Sequence, residues 1–267
     1  MTESGGAAPG ELRELSVRRT AGRLDVLIDR APKRNALSQS LLLELARAFD
    51  EHAADETVKV AVLRGAGDKS FAAGGDLKEL AALRTVAAAE AMSRQSRSAL
   101  DAIRRFPVPV VAALNGDALG GGAELAIACD LRVAAAHVRI GFVQGRLAIT
   151  TAWGGGLDLQ DLVGPAKALA LLTRAELMNA AKAESIGLVD EVARSADDFD
   201  GAVERLVAPL LAMPRQVLAA YKAMRIGRRA GAGRDALERI ETEHFAQAWV
   251  HDDHWRAADA ILTRKAS

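Results

Sequence analysis

LNGDALGGGAELAIACD, Leu114 to Asp130, decides the reading of this chain. Three consecutive glycines, Gly120 to Gly122, follow an apolar stretch and precede a helix-like run, read as Glu124–Ala128. One carboxylate, Glu124, stands among Ala, Leu and Ile. Glycines between a strand and a helix permit tight turns and close packing, and an acidic residue in the first helical turn suits the helix dipole. The same arrangement also suits chemistry. A helix N-terminus carries unpaired N–H groups, and glycine lets a ligand approach them. Such donors can hold a carbonyl oxygen that gains negative charge, while a carboxylate one turn on moves protons at a neighbouring carbon. Apolar surroundings raise that carboxyl's pKa and the helix dipole lowers it.

An oxyanion hole takes two donors. SFAAGGDL supplies a second glycine loop after the apolar run VKVAVLRG, with Gly74 and Gly75 ahead of Asp76. Nucleotide-binding loops do not fit: Asp68 precedes Lys69-Ser70 where GxxxxGK[ST] needs glycine, and GxGxxG fails at both GAGDKS and GGGAEL.

The composition sets limits. The chain has 267 residues, half of them hydrophobic, with 35 basic and 35 acidic side chains and a formal net charge of zero. No basic excess points to nucleic acid, and no apolar run is long enough to span a bilayer. The first ten residues lack a signal-peptide pattern. One cysteine, Cys129, forms no intrachain disulfide and reads as a small core residue. A soluble, reducing, cytoplasmic setting is the expectation.

Along the chain, ELSVRRTAGRLDVLIDR reads as two strands about a turn at Ala21-Gly22. Ser38 is a helix N-cap for QSLLLELARAFDEHAAD. Residues 85–105 form a polar helix. FPVPVVAALNG is a strand whose prolines place its start at an edge or turn. DLRVAAAHVRIGF gives two short strands. After TTAWGGG the pattern turns mostly helical. This order predicts an α/β fold followed by a helical part, divided as a flexible N-terminus (1–15), a core (16–198) and a C-terminal helical region (199–267).

These segments resemble the crotonase superfamily, the enoyl-CoA hydratase/isomerase fold. SFAAGGDLKEL is similar to its FxAGADLKE loop and LNGDALGGGAELAIACDLRVA to its xNGxAxGGGxELAxxCDxRxA segment. APKRNALS and AAKAESIGLVDEV match two further elements, so the resemblance spans roughly residues 16–264. It implies a ClpP/crotonase-like spiral of βαβ units with two roughly perpendicular sheets. It further implies C-terminal helices that build a homotrimer, often paired into a hexamer. The substrate it implies is an acyl-CoA thioester. Coenzyme A then arrives as part of the substrate, with no metal or other cofactor.

Carried over by residue, the resemblance makes Gly75 and Gly121 the backbone donors to the thioester oxygen. Glu124 becomes the acid/base, matching the first of the two glutamates of hydratases. Gln144 stands where the second would be. Glutamine exchanges no protons near neutral pH but can orient water or hydrogen-bond a carbonyl. Ala73, the segment from Gly75 through Asp76 and Leu77 to Lys78, and the turn near Lys33 would line the CoA channel. Lys265 is a candidate for reaching CoA from a neighbouring subunit.

With one glutamate, several reactions are open: hydration or isomerisation of an unsaturated acyl-CoA, decarboxylation of a substituted malonyl-CoA, and hydrolysis or C–C bond chemistry. The stretch GFVQGRLAITTAWGGGLDL is similar to a segment of ethylmalonyl-CoA decarboxylases, and Arg146 is the cation such a substrate would want, against a surface salt bridge. An inactive scaffold is the non-enzyme alternative. Trp153 either closes the acyl pocket or packs a helix start. The basic RIGRRAGAGR either touches CoA phosphates or caps a helix. HDDHW, 251–255, reads as a solvated turn rather than a metal site.

Overall fold

The computed structural model describes residues 14–264. The flexible N-terminus expected for residues 1–15 lies outside the described residues up to residue 13, as does Lys265.

The first hairpin, β1 (Leu15–Thr20) and β2 (Arg23–Ile28), is antiparallel and turns at Ala21-Gly22. Ser38 then caps α1 (Gln39–His52), its hydroxyl accepting from the Leu41 N–H at 3.2 Å. Such a cap is worth about 1 kcal/mol. From there the chain makes three successive turns, each with one strand in each of two sheets. The first turn holds β3 (Val60–Gly65) and β4 (Ser70–Ala72). After α2 (Leu77–Leu80) and α3 (Val86–Arg105) come β5 (Val110–Leu114) and β6 (Asp117–Leu119). After α4 (Gly121–Ala128) come β7 (Leu131–Ala134) and β8 (Arg139–Gly141).

Next follow α5 (Gly155–Val163), α6 (Pro165–Arg174), β9 (Met178–Asn179), α7 (Ala180–Ser185) and β10 (Glu191–Val192). The chain ends in α8 (Phe199–Ala212), α9 (Arg215–Arg229), α10 (Arg234–Trp249) and α11 (Asp252–Arg264). The larger sheet has the order β1-β2-β3-β5-β7-β10, parallel from β2 onward, and the smaller has the order β4-β6-β8-β9. This α/β spiral with a helical C-terminal part agrees with the expected fold class.

The structure settles one alternative of the sequence reading and differs from it in two details. β5 is an interior strand, hydrogen-bonded on both sides by β3 and β7, so Pro107 and Pro109 mark a turn before it and not a sheet edge. The stretch after Trp153 contains β9 and β10, two-residue strands too short to show a hydrophobic period. And α4 begins at Gly121, three residues before Glu124. α8 buries Phe199, Ala202, Val203 and Val207 and packs on β3, β7 and β10, so the helical region starts within the core.

Two buried asparagines tie the spiral's turns together at the strand ends. Asn35 accepts from the Arg30 N–H and donates to the carbonyls of Ala66 and Ser70. Asn115 accepts from the Gly65 N–H at 2.9 Å and donates to the Gly67 carbonyl at 2.7 Å. Both side chains have their oxygen and their nitrogen paired where strands end and carbonyls would otherwise stay orphaned.

The helix α4 sits at the centre, packed against strands of both sheets and against α3 and α5. Every residue from Gly121 to Ala128 is buried. Its start demands glycine. Gly120 has φ of 54° and ψ of −118°, a conformation L side chains rarely adopt. A Cβ on Gly122 would stand 1.9 Å from the Ala72 carbonyl oxygen, which is backbone and cannot step aside. Gly122→Ala is therefore expected to destabilise the fold by about 3 kcal/mol, the upper range for overpacking, read from urea unfolding. A change below about 1 kcal/mol would show that β4 and α4 can separate at little cost.

Candidate active site

The site is built where the N-terminus of α4 meets the loop after β4. That loop is registered against the chain following Lys33: Leu37 N–H donates to Gly74 O at 2.8 Å, Asp76 N–H to Leu37 O at 3.0 Å, and Ala73 N–H to Arg34 O at 3.1 Å. On its other side Gly74 approaches α4 so closely that a Cβ there would lie 3.5 Å from the Gly121 nitrogen. The two glycine loops thus meet, as their joint reading requires. Gly121 is the first residue of α4, so its N–H has no intrahelical partner. Neither it nor the Gly75 N–H donates to an acceptor among the described residues.

Glu124 is 2% exposed. Its Oε1 accepts from the backbone N–H groups of Trp153 at 2.9 Å and Gly155 at 3.0 Å. Its Oε2 accepts from Gln144 Nε2 at 2.9 Å. Burial pushes the carboxyl above its ordinary value, against the three hydrogen bonds and the more distant Arg104, all of which favour the anion. The 3-10 turn Val143–Leu147 delivers Gln144, and the N-terminus of α5 supplies Gly155. A Cβ on Gly155 would lie 2.3 Å from Glu124 Cγ, so this glycine too makes room for the carboxylate.

Two hollows join here. The inner cavity, about 140 Å³, is lined by Gly75, Gly121, Glu124, Gln144 and Trp153, with apolar walls from Leu77, Leu80, Met92, Leu147 and Ile149. The outer groove, about 1010 Å³, is lined by Lys33, Asp76, Leu77 and Lys78 among others. Ala73, Gly75 and Leu77 border both. Lys33, Ala73, Gly75, Asp76, Leu77, Lys78, Gly121, Glu124, Gln144 and Trp153 therefore each line one hollow or the other. Neither Lys33 nor Lys78 takes part in an ion pair among the described residues. Asp76 caps α2 and pairs with Arg30 at 3.1 Å. Burial pushes Asp76 up, but hydrogen bonds from Arg30 and backbone N–H groups outweigh it and hold the carboxyl below its usual value.

Trp153 resolves in both of its senses. Its indole packs on Gly121, where a Cβ would fall 2.3 Å from the ring, and its backbone leads into α5. Arg146 faces neither hollow and forms no salt bridge among the described residues: its Nε donates to the Ala175 carbonyl at 2.8 Å. The basic stretch also stays clear of both hollows. Its Arg229 donates to the carbonyls of Ala128 at 3.0 Å and Ile127 at 3.1 Å, which end α4. Cys129 is fully buried, its thiol pushed up to about 12 chiefly by burial, as suits a core residue. In the HDDHW stretch, His251 accepts from the Asp253 N–H, and His254 lies tilted over Trp249 and meets Trp255 edge-on.

Sequence reasoning missed Arg104. Its guanidinium pairs with Asp158 at 2.7 Å and donates to the Trp153 carbonyl at 3.0 Å, holding the turn that binds Glu124 from behind. The partners lie 54 residues apart, with no local signal.

Comparison with known proteins gives concordant matches. Residues 19–255 match the family model described as enoyl-CoA hydratase/isomerase. The chain is 33% identical over 250 residues to crotonyl-CoA hydratase of Syntrophomonas wolfei, covering 91% of this chain and 93% of that protein. It is 37% identical over 178 residues to the mitochondrial methylglutaconyl-CoA hydratase of Mus musculus. That match covers 67% of this chain but 56% of the mouse protein, little more than half its length. Among solved structures, an enoyl-CoA hydratase from Bacillus anthracis superposes with a TM-score of 0.87 at 27% identity, covering 94% of this chain and 97% of that one.

The raised carboxyl of Glu124 has a measurable consequence. The folded state binds its proton more tightly than the unfolded state, so stability falls as pH rises from the ordinary carboxylate range through Glu124's own pKa. Glutamine removes that slope. It keeps an oxygen for Trp153 and Gly155, and the Gln144 amide can flip to accept from it. Urea unfolding between about pH 4 and pH 8 is expected to show Glu124→Gln gaining stability relative to wild type as pH rises. A constant difference would contradict the shift.

Proposed function

This chain belongs to the enoyl-CoA hydratase/isomerase family, and we propose that it acts on an acyl-CoA thioester through an enolate, with Glu124 as acid/base. The observation that carries this reading is one cavity shared by a buried carboxylate and two unspent backbone N–H groups. The thioester oxygen sits against Gly75 and Gly121, whose N–H groups strengthen their hydrogen bonds as the oxygen gains charge. The acyl chain runs over Trp153 toward Glu124. The CoA portion lies in the outer groove, where Lys33 and Lys78 offer unpaired positive charge to its phosphates.

The chemistry needs one proton carrier. In isomerisation, Glu124 takes a proton from the carbon beside the thioester. The electron pair enters the carbonyl, and the proton returns to a carbon further along. In hydration, water oxygen bonds to the β-carbon and its proton passes to Glu124. The double-bond electrons form the enolate, and Glu124 then protonates the α-carbon. This lyase-type addition and the isomerisation share the same enolate. Gln144 carries no proton in either; its Nε2 holds Glu124 Oε2 in place. A substituted malonyl-CoA finds no cation in the cavity, since Arg146 faces away.

The assembly is part of the same proposal. Phe245, Trp249, Trp255, Ile261 and Leu262 on α10 and α11 are all exposed in the single chain. A patch of that kind marks an interaction surface, which supports a homotrimer or a hexamer of paired trimers. No described helix is long and apolar enough to cross a membrane, and a cytoplasmic location belongs to the proposal as well.

Glu124→Gln is expected to lower kcat on crotonyl-CoA by about 1000-fold, within the range of general acid–base catalysis. The Kd of butyryl-CoA should stay within about threefold, since the groove and both donors are untouched. Unchanged kcat would remove Glu124 from the mechanism.

A further inference from the structure

The inner cavity is one-sided in charge, and beside Glu124 and Gln144 it is one-sided in hydrogen bonding; its donors are the Gly75 and Gly121 N–H groups, kept for the thioester oxygen, and the hydroxyl of Thr150. Glu124 is its one ionisable lining residue among the described residues. The nearby cations are engaged elsewhere: Arg104 with Asp158 and the Trp153 carbonyl, Arg146 with the Ala175 carbonyl. Gln144 is 8% exposed, and its Nε2 is spent on Glu124. Its Oε1 is buried without a hydrogen-bond partner among the described residues. The amide cannot turn over to relieve this, because the Glu124 carboxylate accepts and needs the Nε2 donor. The polar atoms that Glu124 and Gln144 turn to the cavity are therefore acceptors.

A carboxylate on the acyl group would bring only further acceptors. It would lie beside a like charge, in a space where no cation compensates its lost hydration. A hydroxyl or a water molecule has a proton to give to Gln144 Oε1. The volume is small as well. At roughly 30 Å³ per water-sized group, about 140 Å³ holds on the order of five non-hydrogen atoms.

We propose that the acyl group of the substrate is short and carries no carboxylate, and that the polar group the cavity accepts is a hydroxyl-type donor to Gln144. The proposal rests on the thioester reading above. It separates this chain's substrate class from dicarboxylic thioesters such as the one named for the mouse relative.

Titration calorimetry of the wild-type protein tests it without turnover. Glutaryl-CoA is compared with 5-methylhexanoyl-CoA, which has the same branched shape without the charge. Glutaryl-CoA is expected to bind at least about 30-fold more weakly, the effect of an unpaired buried charge. Ile149 lines the cavity and is 56% exposed, so an arginine there reaches the same space. Ile149→Arg should close the gap to less than about tenfold. Equal binding of the two thioesters by wild type, with crotonyl-CoA still turned over, would overturn the charge selection and leave the proposed function standing. A gap unaltered by Ile149→Arg would overturn charge as its cause. Binding of neither thioester while butyryl-CoA binds would bear out the short acyl group, and no binding of butyryl-CoA either would overturn both readings.

Discussion

One short helix sets the terms for the rest of the molecule. The eight residues of α4 are buried from end to end, so the unpaired groups at both ends must find partners inside the protein. At the C-terminal end Arg229, reaching in from α9, takes the carbonyls of Ile127 and Ala128. A cation there also complements the negative end of the helix dipole. At the N-terminal end the structure leaves Gly121 N–H open to the cavity, and the helix carries Glu124 one turn on. The charged partner at one end and the vacant donor at the other belong to the same eight residues.

Around this helix the buried charges form a connected set. Asp158 pairs with Arg104 at 2.7 Å and lies 3.6 Å from Arg229. Asp130, just past α4, pairs with Lys222 and lies 3.4 Å from Arg225, both on α9. Buried ion pairs are poor sources of stability, because desolvation offsets most of the attraction, yet breaking one leaves an uncompensated charge. Their use here is placement. Arg104 fixes the Trp153 carbonyl, and the N–H groups of the same turn hold Glu124 Oε1. The C-terminal helices thereby reach Glu124 through α5 and α3.

Legibility from the sequence follows the range of each interaction. The glycine triplet, Glu124 and the Gly74-Gly75 loop were readable because backbone geometry and local chemistry dictate them within a few residues, whereas Gln144 and the lining from Ala73 to Lys78 came from the family resemblance. So were the hairpin at Ala21-Gly22 and the cap at Ser38. The split into two sheets was not, since β4, β6 and β8 have three residues each and show no period. The prolines before β5 pointed to an edge or a turn, and strand order decided for the turn. Arg229 sat in a stretch read as CoA contact or helix cap. It caps a helix 101 residues away, a choice that needs tertiary structure.

The central claim is that Glu124 and the two glycine N–H groups together form and quench an enolate. Deuterium uptake tests it most directly: butyryl-CoA is incubated with the protein in D2O, and exchange at the carbon beside the thioester is followed by mass spectrometry. No water addition is needed, so the result does not depend on a second proton carrier or on the acyl chain's double bond. The account predicts exchange with wild type and its loss in Glu124→Gln. Equal exchange by both proteins, or none by wild type with butyryl-CoA bound, would contradict it.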